Sequence, residues 1–435
     1  MLRLYTMSKW HFLTITNIYM SQALSTDYGI QRYLTDYRFD KTDFFSTEQR
    51  TRVEYIKTAK NKVLRFINEF WTSKQRQANS LHEISYRACF KPQLPEFFVN
   101  LLTQPGDTIY DPFAGRGTTI IESALLGRNV ISNDINPLST ILCKPRLFVP
   151  NIASLQRRLD EIPIESINID IDLSMFFHEK TLTEILSLRA YLIEKANDEI
   201  DDWIRMVATN RLTGHSKGFF SVYTLPPNQA VSPDNQKKIN EKRNQIPEYR
   251  DTKKIILKKT KDLLKNLSSE QIKQLRKIGK QSVFLNKDAR FTDEIKDGII
   301  QLTVTSPPFL DVIHYADDNW MRCWFNNITV KEIESKITMS RKIEDWCNVM
   351  SDVFRQLFRI TRPGGYVAFE VGEVRGGKVM LDEYVVDIGI DQGFVCEGIM
   401  VNEQLFTKTA NIWGINNNDK GTNSNRIVLF KKLGG

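Results

Sequence analysis

Residues 108–145 read TIYDPFAGRGTTIIESALLGRNVISNDINPLSTILCKP, and this stretch decides the fold. An apolar run ends at Asp111. Pro112, Phe113 and Ala114 lead into Gly115 and Gly117, and Thr118 opens a helical pattern that Gly127 stops. Val130-Ile131-Ser132 then reads as a second strand, with Asp134 at its end. Strand, glycine turn, helix and strand make a βαβ unit, which implies an α/β fold with a parallel, doubly wound, Rossmann-like sheet. The two glycines let a ligand approach the backbone closely. A dinucleotide fingerprint would need a third glycine where Ile120 stands, and no Gly-Lys-Ser/Thr follows, so neither that pattern nor a phosphate-binding Walker loop is present. Taken alone, Gly-x-Gly is only a tight turn.

Its neighbours give it chemistry. Asp134 lies nineteen residues after Gly115, where an acid can accept from the hydroxyls of a ribose. Asp111 is a second carboxylate at a strand end. Two acids beside the turn would repel a pyrophosphate, whereas a ribose carrying a cationic, amine-bearing tail suits them. S-adenosyl-L-methionine has that form.

A second stretch, QLTVTSPPFLDV (301–312), raises an apolar strand to Ser306 and stops it with Pro307 and Pro308. Two prolines cannot continue a central strand. They would hold a hydroxyl, a carbonyl and the Phe309 ring at the carboxyl end of a strand, where ligands bind in such sheets. Two acceptors beside a ring are complementary to a planar heterocycle with an exocyclic amine. An isolated Ser-Pro-Pro is otherwise a plain turn after a strand.

The rest of the 435-residue chain bounds this reading. Its 41% apolar content is that of a globular protein, and no run of eighteen apolar residues predicts a membrane span. The first residues do not read as a signal peptide, and Met7 is an alternative start. The five cysteines form no CxxC pair and are expected to be reduced thiols, and neither they nor the five histidines make a metal constellation. A cytoplasmic protein of bacterial or archaeal type is expected. Residues 1–80 are read as an N-terminal helical extension, with a helix over 46–71 capped by Ser46 and with Val53, Ile56, Val63, Phe66, Ile67 and Phe70 at helical spacing. The sheet then runs through 81–150, is interrupted by a mainly helical insert at 151–280, and resumes at 281–435. From Lys237 to Lys280 there are fifteen Lys/Arg against five Asp/Glu, more than the whole-chain excess of +8. Such a segment is either a polyanion-facing surface or a solvated helical face.

In combination the motifs resemble those of an amino-group DNA methyltransferase, on the cytosine-N4 branch, with a Rossmann-like methyltransferase sheet. DPFAGRGTT (111–119) is similar to the family's cofactor motif and NDINP (133–137) to its ribose-binding acidic motif. HEISYRACFKPQLPEFFVNLL (82–102) resembles the preceding helix, NKDAR (286–290) the adenine-side segment, and TSPPF the catalytic motif. The resemblance implies that Asp111, Pro112, Phe113, Gly115, Gly117 and Thr118 hold the cofactor. Asp134, Ile135 and Asn136 would hold its ribose, Lys91 and Pro92 its methionine end, and Asp288 and Ala289 its adenine. It further implies Ser306, Pro307, Pro308 and Phe309 as the catalytic loop, with double-stranded DNA as partner and a separately encoded restriction endonuclease as its counterpart. No Pro-Cys occurs for cytosine-C5 chemistry. The insert is the natural target-recognition region, with Arg211, His215, Lys217, Lys242, Arg243, Lys253 and Lys254 as DNA contacts and Phe219, Phe220 and Tyr223 as either wedges or core. His314 is read as a helix-start histidine rather than a base. Adenine-N6 methylation, RNA amino-methylation and a catalytically silent nucleic-acid-binding scaffold are the alternatives.

Overall fold

The computed structural model describes residues 29–39, 49–72, 78–86, 89–224, 231–308, 315–330, 333, 342–374, 378–403 and 424–434. Nine strands form one sheet: β1 (Arg52–Lys57), β2 (Lys62–Asn68), β3 (Thr108–Asp111), β4 (Asn129–Asn133), β5 (Val283–Leu285), β6 (Ile300–Thr305), β7 (Thr361–Val371), β8 (Val395–Glu403) and β9 (Ser424–Lys431). Their order across the sheet is β1-β2-β8-β9-β7-β6-β3-β4-β5. The run β7-β6-β3-β4-β5 is parallel throughout, and β9 lies antiparallel between β7 and β8. This is the expected Rossmann-like, doubly wound sheet. Strand order reverses between β3 and β6, which opens a crevice at their carboxyl ends.

Helices cover both faces. One carries α1 (Ile30–Asp36) and α2 (Gln93–Leu102), packed on Phe66, Ile109, Leu302 and Ala368. The other carries α12 (Ile343–Ile360) and α13 (Leu381–Asp391), packed on Tyr110, Val367, Phe369 and Val428. Alternation along β3 and β7 sends successive residues to opposite layers, as the pleat requires. Between them in the chain lie α3 (Thr118–Leu125), α4 (Leu138–Cys143), α5 (Ile152–Glu161), α6 (Glu179–Glu194), α7 (Glu199–Arg211), α8 (Pro233–Arg243), α9 (Thr252–Leu264), α10 (Ser269–Gly279) and α11 (Tyr315–Phe325). The insert is helical, as expected, and α3, α4 and the insert helices share one apolar core through Ile120, Ile121, Leu142, Trp203, Ile256 and Leu275. Gln274 of α10 donates to the carbonyls of Ala124 and Leu125, which closes the end of α3.

The N-terminal region departs from the expected helical extension. Residues 52–68 form a β-hairpin, not a helix, and β2 adds in parallel to the β8 edge of the sheet. The apolar residues of this segment satisfy both periods. A sheet edge with unpaired backbone groups tips the choice toward the strand, which Val53, Ile56 and Val63 also favour. Asp387 of α13 fixes the turn: it accepts from Thr58 Oγ1 at 2.6 Å and from Asn61 Nδ2 at 2.7 Å. Ser46 lies outside the described residues.

An Asp387→Ala variant is expected to lose about 1–3 kcal/mol, the cost of stranding two polar partners. Chemical denaturation reads the loss, and hydrogen exchange should quicken across 52–68 before the rest of the sheet.

Candidate active site

The crevice is built from the ends of β3, β4 and β6. Gly115 and Gly117 adopt φ of 52° and 77°, in the left-handed region that glycine enters at little cost. A Cβ on Gly117 would lie 2.2 Å from Cys143 Sγ, so α3 can start here only because this position has no side chain. From beneath, fully buried Arg146 braces the turn by donating to the carbonyls of Arg116, Leu142 and Leu81. Burial holds its guanidinium down at about 10. The sequence around Arg146, LCKPRLF, carries no signal of this role, which arises from its distant partners.

Asp134 closes the turn from the β4 side. Its carboxylate accepts from Gly115 N at 2.8 Å and Asn136 N at 2.9 Å, which leaves lone pairs on both oxygens for further donors. Asn136 in turn accepts from Leu138 N at 3.0 Å. Asp111 closes it from the β3 side. Asp111 Oδ1 accepts from Phe113 N at 3.1 Å and from Thr305 Oγ1 at 2.6 Å. Burial pushes the two carboxyls up, Asp111 to about 7 and Asp134 to about 6, against the lowering effect of these donors. Two buried acids side by side favour a cationic ligand over an anionic one.

The Thr305 bond joins the two motifs: it ties the end of β6 to the end of β3, so Ser306 follows directly at the rim of the glycine turn. Ser306 is half-buried, Pro307 is buried, and the Pro308 carbonyl accepts from Trp346 Nε1 of α12 at 3.1 Å. Phe309 and His314 lie outside the described residues. Glu370 on the neighbouring strand β7 sits beside the Ser306 side chain and accepts from Asn425 Nδ2 of β9. Burial lifts the Glu370 carboxyl to about 7, and Asn425 and Ser306 beside it lower it in part. Sequence reading missed Glu370. Its signal was present as one acid inside the apolar strand YVAFEV.

The remaining predicted cofactor residues surround the turn. Asn133 holds the NKDAR segment against β4, with Asn133 Nδ2 donating to Lys287 O at 2.9 Å and Asn133 Oδ1 accepting from Lys287 N at 3.0 Å. Asp288 is engaged by Arg290 at 2.6 Å, while Ala289 is buried. Pro92 caps α2, with half-buried Lys91 before it. Pro112 and Thr118 are buried; Phe113 and Ile135 are half-buried.

The predicted DNA contacts divide. His215, Lys217, Lys242, Arg243 and Lys254 are exposed, and Lys253 is half-buried and donates to Ile162 O at 3.0 Å. Arg211 is buried, with its guanidinium 3.9 Å from the centre of the Phe219 ring. Phe219 and Phe220 complete the insert core, and Tyr223 lies under Arg243 at 3.8 Å.

Residues 9–139 match the DNA methylase family model of N6 and N4 methyltransferases. The chain is similar to the Type II methyltransferase M.MvaI of Kocuria varians, 26% identical over 320 residues covering 67% of this chain and 64% of that one. It is also similar to M.BsoBI of Geobacillus stearothermophilus, 35% identical over 125 residues covering 26% and 24%. M.MjaII of Methanocaldococcus jannaschii is 34% identical over 88 residues covering 20% and 17%. The chain thus spans less than two thirds of the length of these curated relatives. Among solved structures, TrmN from Thermus thermophilus aligns at 13% identity over 81% of this chain and 52% of that one, with a TM-score of 0.31.

The acidic pair gives a signed prediction. Asp111 is held above its unfolded value near 3.8, so its stability cost sets in as pH rises from about 4 to 7. An Asp111→Asn variant is therefore expected to be more stable than wild type above pH 7, by up to roughly 4 kcal/mol, and equal to it near pH 4. Thermal unfolding across that range measures the difference, and the same variant should bind a cationic cofactor more weakly.

Proposed function

We propose that the chain is a site-specific DNA methyltransferase that transfers a methyl group from S-adenosyl-L-methionine to the exocyclic N4 amine of cytosine in duplex DNA, as the modification partner of a restriction endonuclease. The observation that carries it is the Thr305–Asp111 hydrogen bond, which sets a serine-proline-proline loop against an acid-flanked glycine turn. The DNA methylase match over 9–139 and the similarity to Type II methyltransferases support the same reading.

The residues present fit the cofactor. Asp134 keeps lone pairs for a ribose, Asp111 faces a cationic amine, and the glycine turn exposes backbone at close range. Phe113, Ile135, Lys91 and Pro92 line the approach, with Ala289 on the adenine side. When bound, S-adenosyl-L-methionine supplies a methyl group activated by its sulfonium. The chain's own part is positioning and electrostatics. An exocyclic amine is a weak nucleophile because its lone pair is delocalised into the ring. Ser306 and the Pro307 carbonyl accept from its two hydrogens, which localises that lone pair for attack. Ser306 can accept only if its own proton points elsewhere, and Glu370 takes that proton. As the nitrogen bonds to carbon it becomes cationic and acidic, and the proton it sheds passes toward Ser306 and Glu370. A base stacked in duplex DNA must first be flipped out to reach this loop. Serine at the first motif position favours cytosine N4 over adenine N6.

Incubation with labelled S-adenosyl-L-methionine and duplex DNA, followed by nucleoside digestion, is expected to place the label on N4-methylcytosine. Label on N6-methyladenine, or in RNA alone, overturns the assignment. Ser306→Ala should lose at least a hundredfold in kcat, in the range of a lost transition-state contact, while cofactor affinity holds in calorimetry. Glu370→Gln should lower kcat and flatten its pH dependence near 7, the region where burial places the Glu370 carboxyl.

A further inference from the structure

Behind the glycine turn lies a cavity of about 460 Å³ lined by Glu83, Tyr86, Lys91, Arg116, Arg211 and Lys259 among others. Four cationic side chains meet one carboxylate. Two of the cations belong to the sheet region and two to the insert: Arg211 ends α7 and Lys259 lies on α9. Arg211 is 8% exposed and its Nε has no hydrogen-bond partner in the described structure, although one Nη donates to Asn210. Lys259 is 9% exposed and 3.6 Å from Glu83, which also meets Lys265 at 3.1 Å. Buried like charges are costly unless a counter-charge joins them. The groups facing Lys259 are Arg211, Glu83 and Asp262, and burial with Arg211 beside it brings its ammonium down to about 8. Arg211 is lowered by burial and then by Arg322 of α11, which itself donates to Ser85 O at 3.2 Å. α11 follows the serine-proline-proline loop in the chain. The cavity is therefore walled by the glycine turn, by the segment from Glu83 to Lys91 and by the insert.

We propose that this cavity seats a backbone phosphate of the DNA strand that carries the target base, with Arg211 and Lys259 as its anion contacts. The inference rests on the methyltransferase reading. Shape and source both favour a phosphodiester. The space is within the range of ligand pockets and larger than a lone carboxylate would need. One of its four cations, Lys259, comes from the segment that holds the basic excess of the chain, and Arg211 comes from the same insert. Seating a phosphate here would fix the strand at the junction of insert and sheet while the base turns toward Ser306. Phosphate contacts of this kind position a protein on the duplex without reading sequence.

The test uses the full chain and a duplex carrying its methylation site, with binding measured across salt concentrations. Lys259→Gln is expected to lower the slope of log Kobs against log salt by about 0.9, one phosphate contact, and to leave S-adenosyl-L-methionine affinity unchanged. Lys259→Arg should restore the slope. Wild-type DNA affinity should fall as pH rises from 7 to 9, as Lys259 loses its proton, whereas the arginine variant should stay level. An unchanged slope in folded Lys259→Gln overturns the proposal. So does a loss of cofactor affinity with intact DNA binding, because the cavity would then serve the cofactor's carboxylate. Wild-type protein that binds no duplex overturns the methyltransferase reading together with this site, so the two failures are read from different proteins.

Discussion

Thr305 and Asp111 share one buried hydrogen bond of 2.6 Å, and the candidate site depends on it. Parallel strands that meet where the strand order reverses have no backbone ladder beyond their carboxyl ends. The register of β3 and β6 runs through Ile109–Leu302 and Tyr110–Thr303, and then the chains diverge. A side-chain bond at the point of divergence keeps the two loops together. It also sets a constraint on Asp111, which must stay buried to make the bond and so carries an acid in a place that disfavours its charge. Nearby Asp134 carries the same burden for the glycine turn. Strain of this electrostatic kind is what a cationic ligand relieves.

The parts of this architecture that follow local rules were legible in the sequence. The βαβ unit around Gly115 and Gly117 could be read because glycine spacing and helix stop signals are backbone requirements. The parallel strands at 300–305 and 361–371 and the antiparallel strand at 424–431 could be read because strands inside a sheet covered on both faces are apolar runs. What escaped depends on distant partners. The segment 52–68 has apolar residues at positions compatible with both helix and strand, and only the free edge of β8 decides between them. Glu370 and Arg146 matter through the residues beside them, Ser306 in one case and the Arg116 carbonyl in the other, sixty-four and thirty positions away respectively. Arg211 reads as a DNA contact and Phe219 as either wedge or core, and the structure packs the two together inside the insert.

The basic insert illustrates how charge and burial separate along one helix. In α9, Ile256, Thr260 and Leu263 face the core, and Trp203 Nε1 donates to Thr260 Oγ1 at 2.9 Å. Lys254 and Lys258 face outward. Lys259, between the two faces, is the residue drawn into the cavity. A single helix therefore supplies packing, surface charge and a buried cation from three faces of the same turn repeat.

Gln274 donating to the last carbonyls of α3 has an evolutionary reading as well as a structural one. An appended module can be exchanged between enzymes like a cassette when its only link is a tether. Here the insert finishes the hydrogen bonding of the helix that starts at the glycine turn, and it shares that helix's core. Exchanging the whole insert would uncap α3 and open its packing. Under the proposed function, new target preferences would arise by drift of exposed side chains such as Lys242, Arg243 and Lys254, with the body of the insert inherited intact.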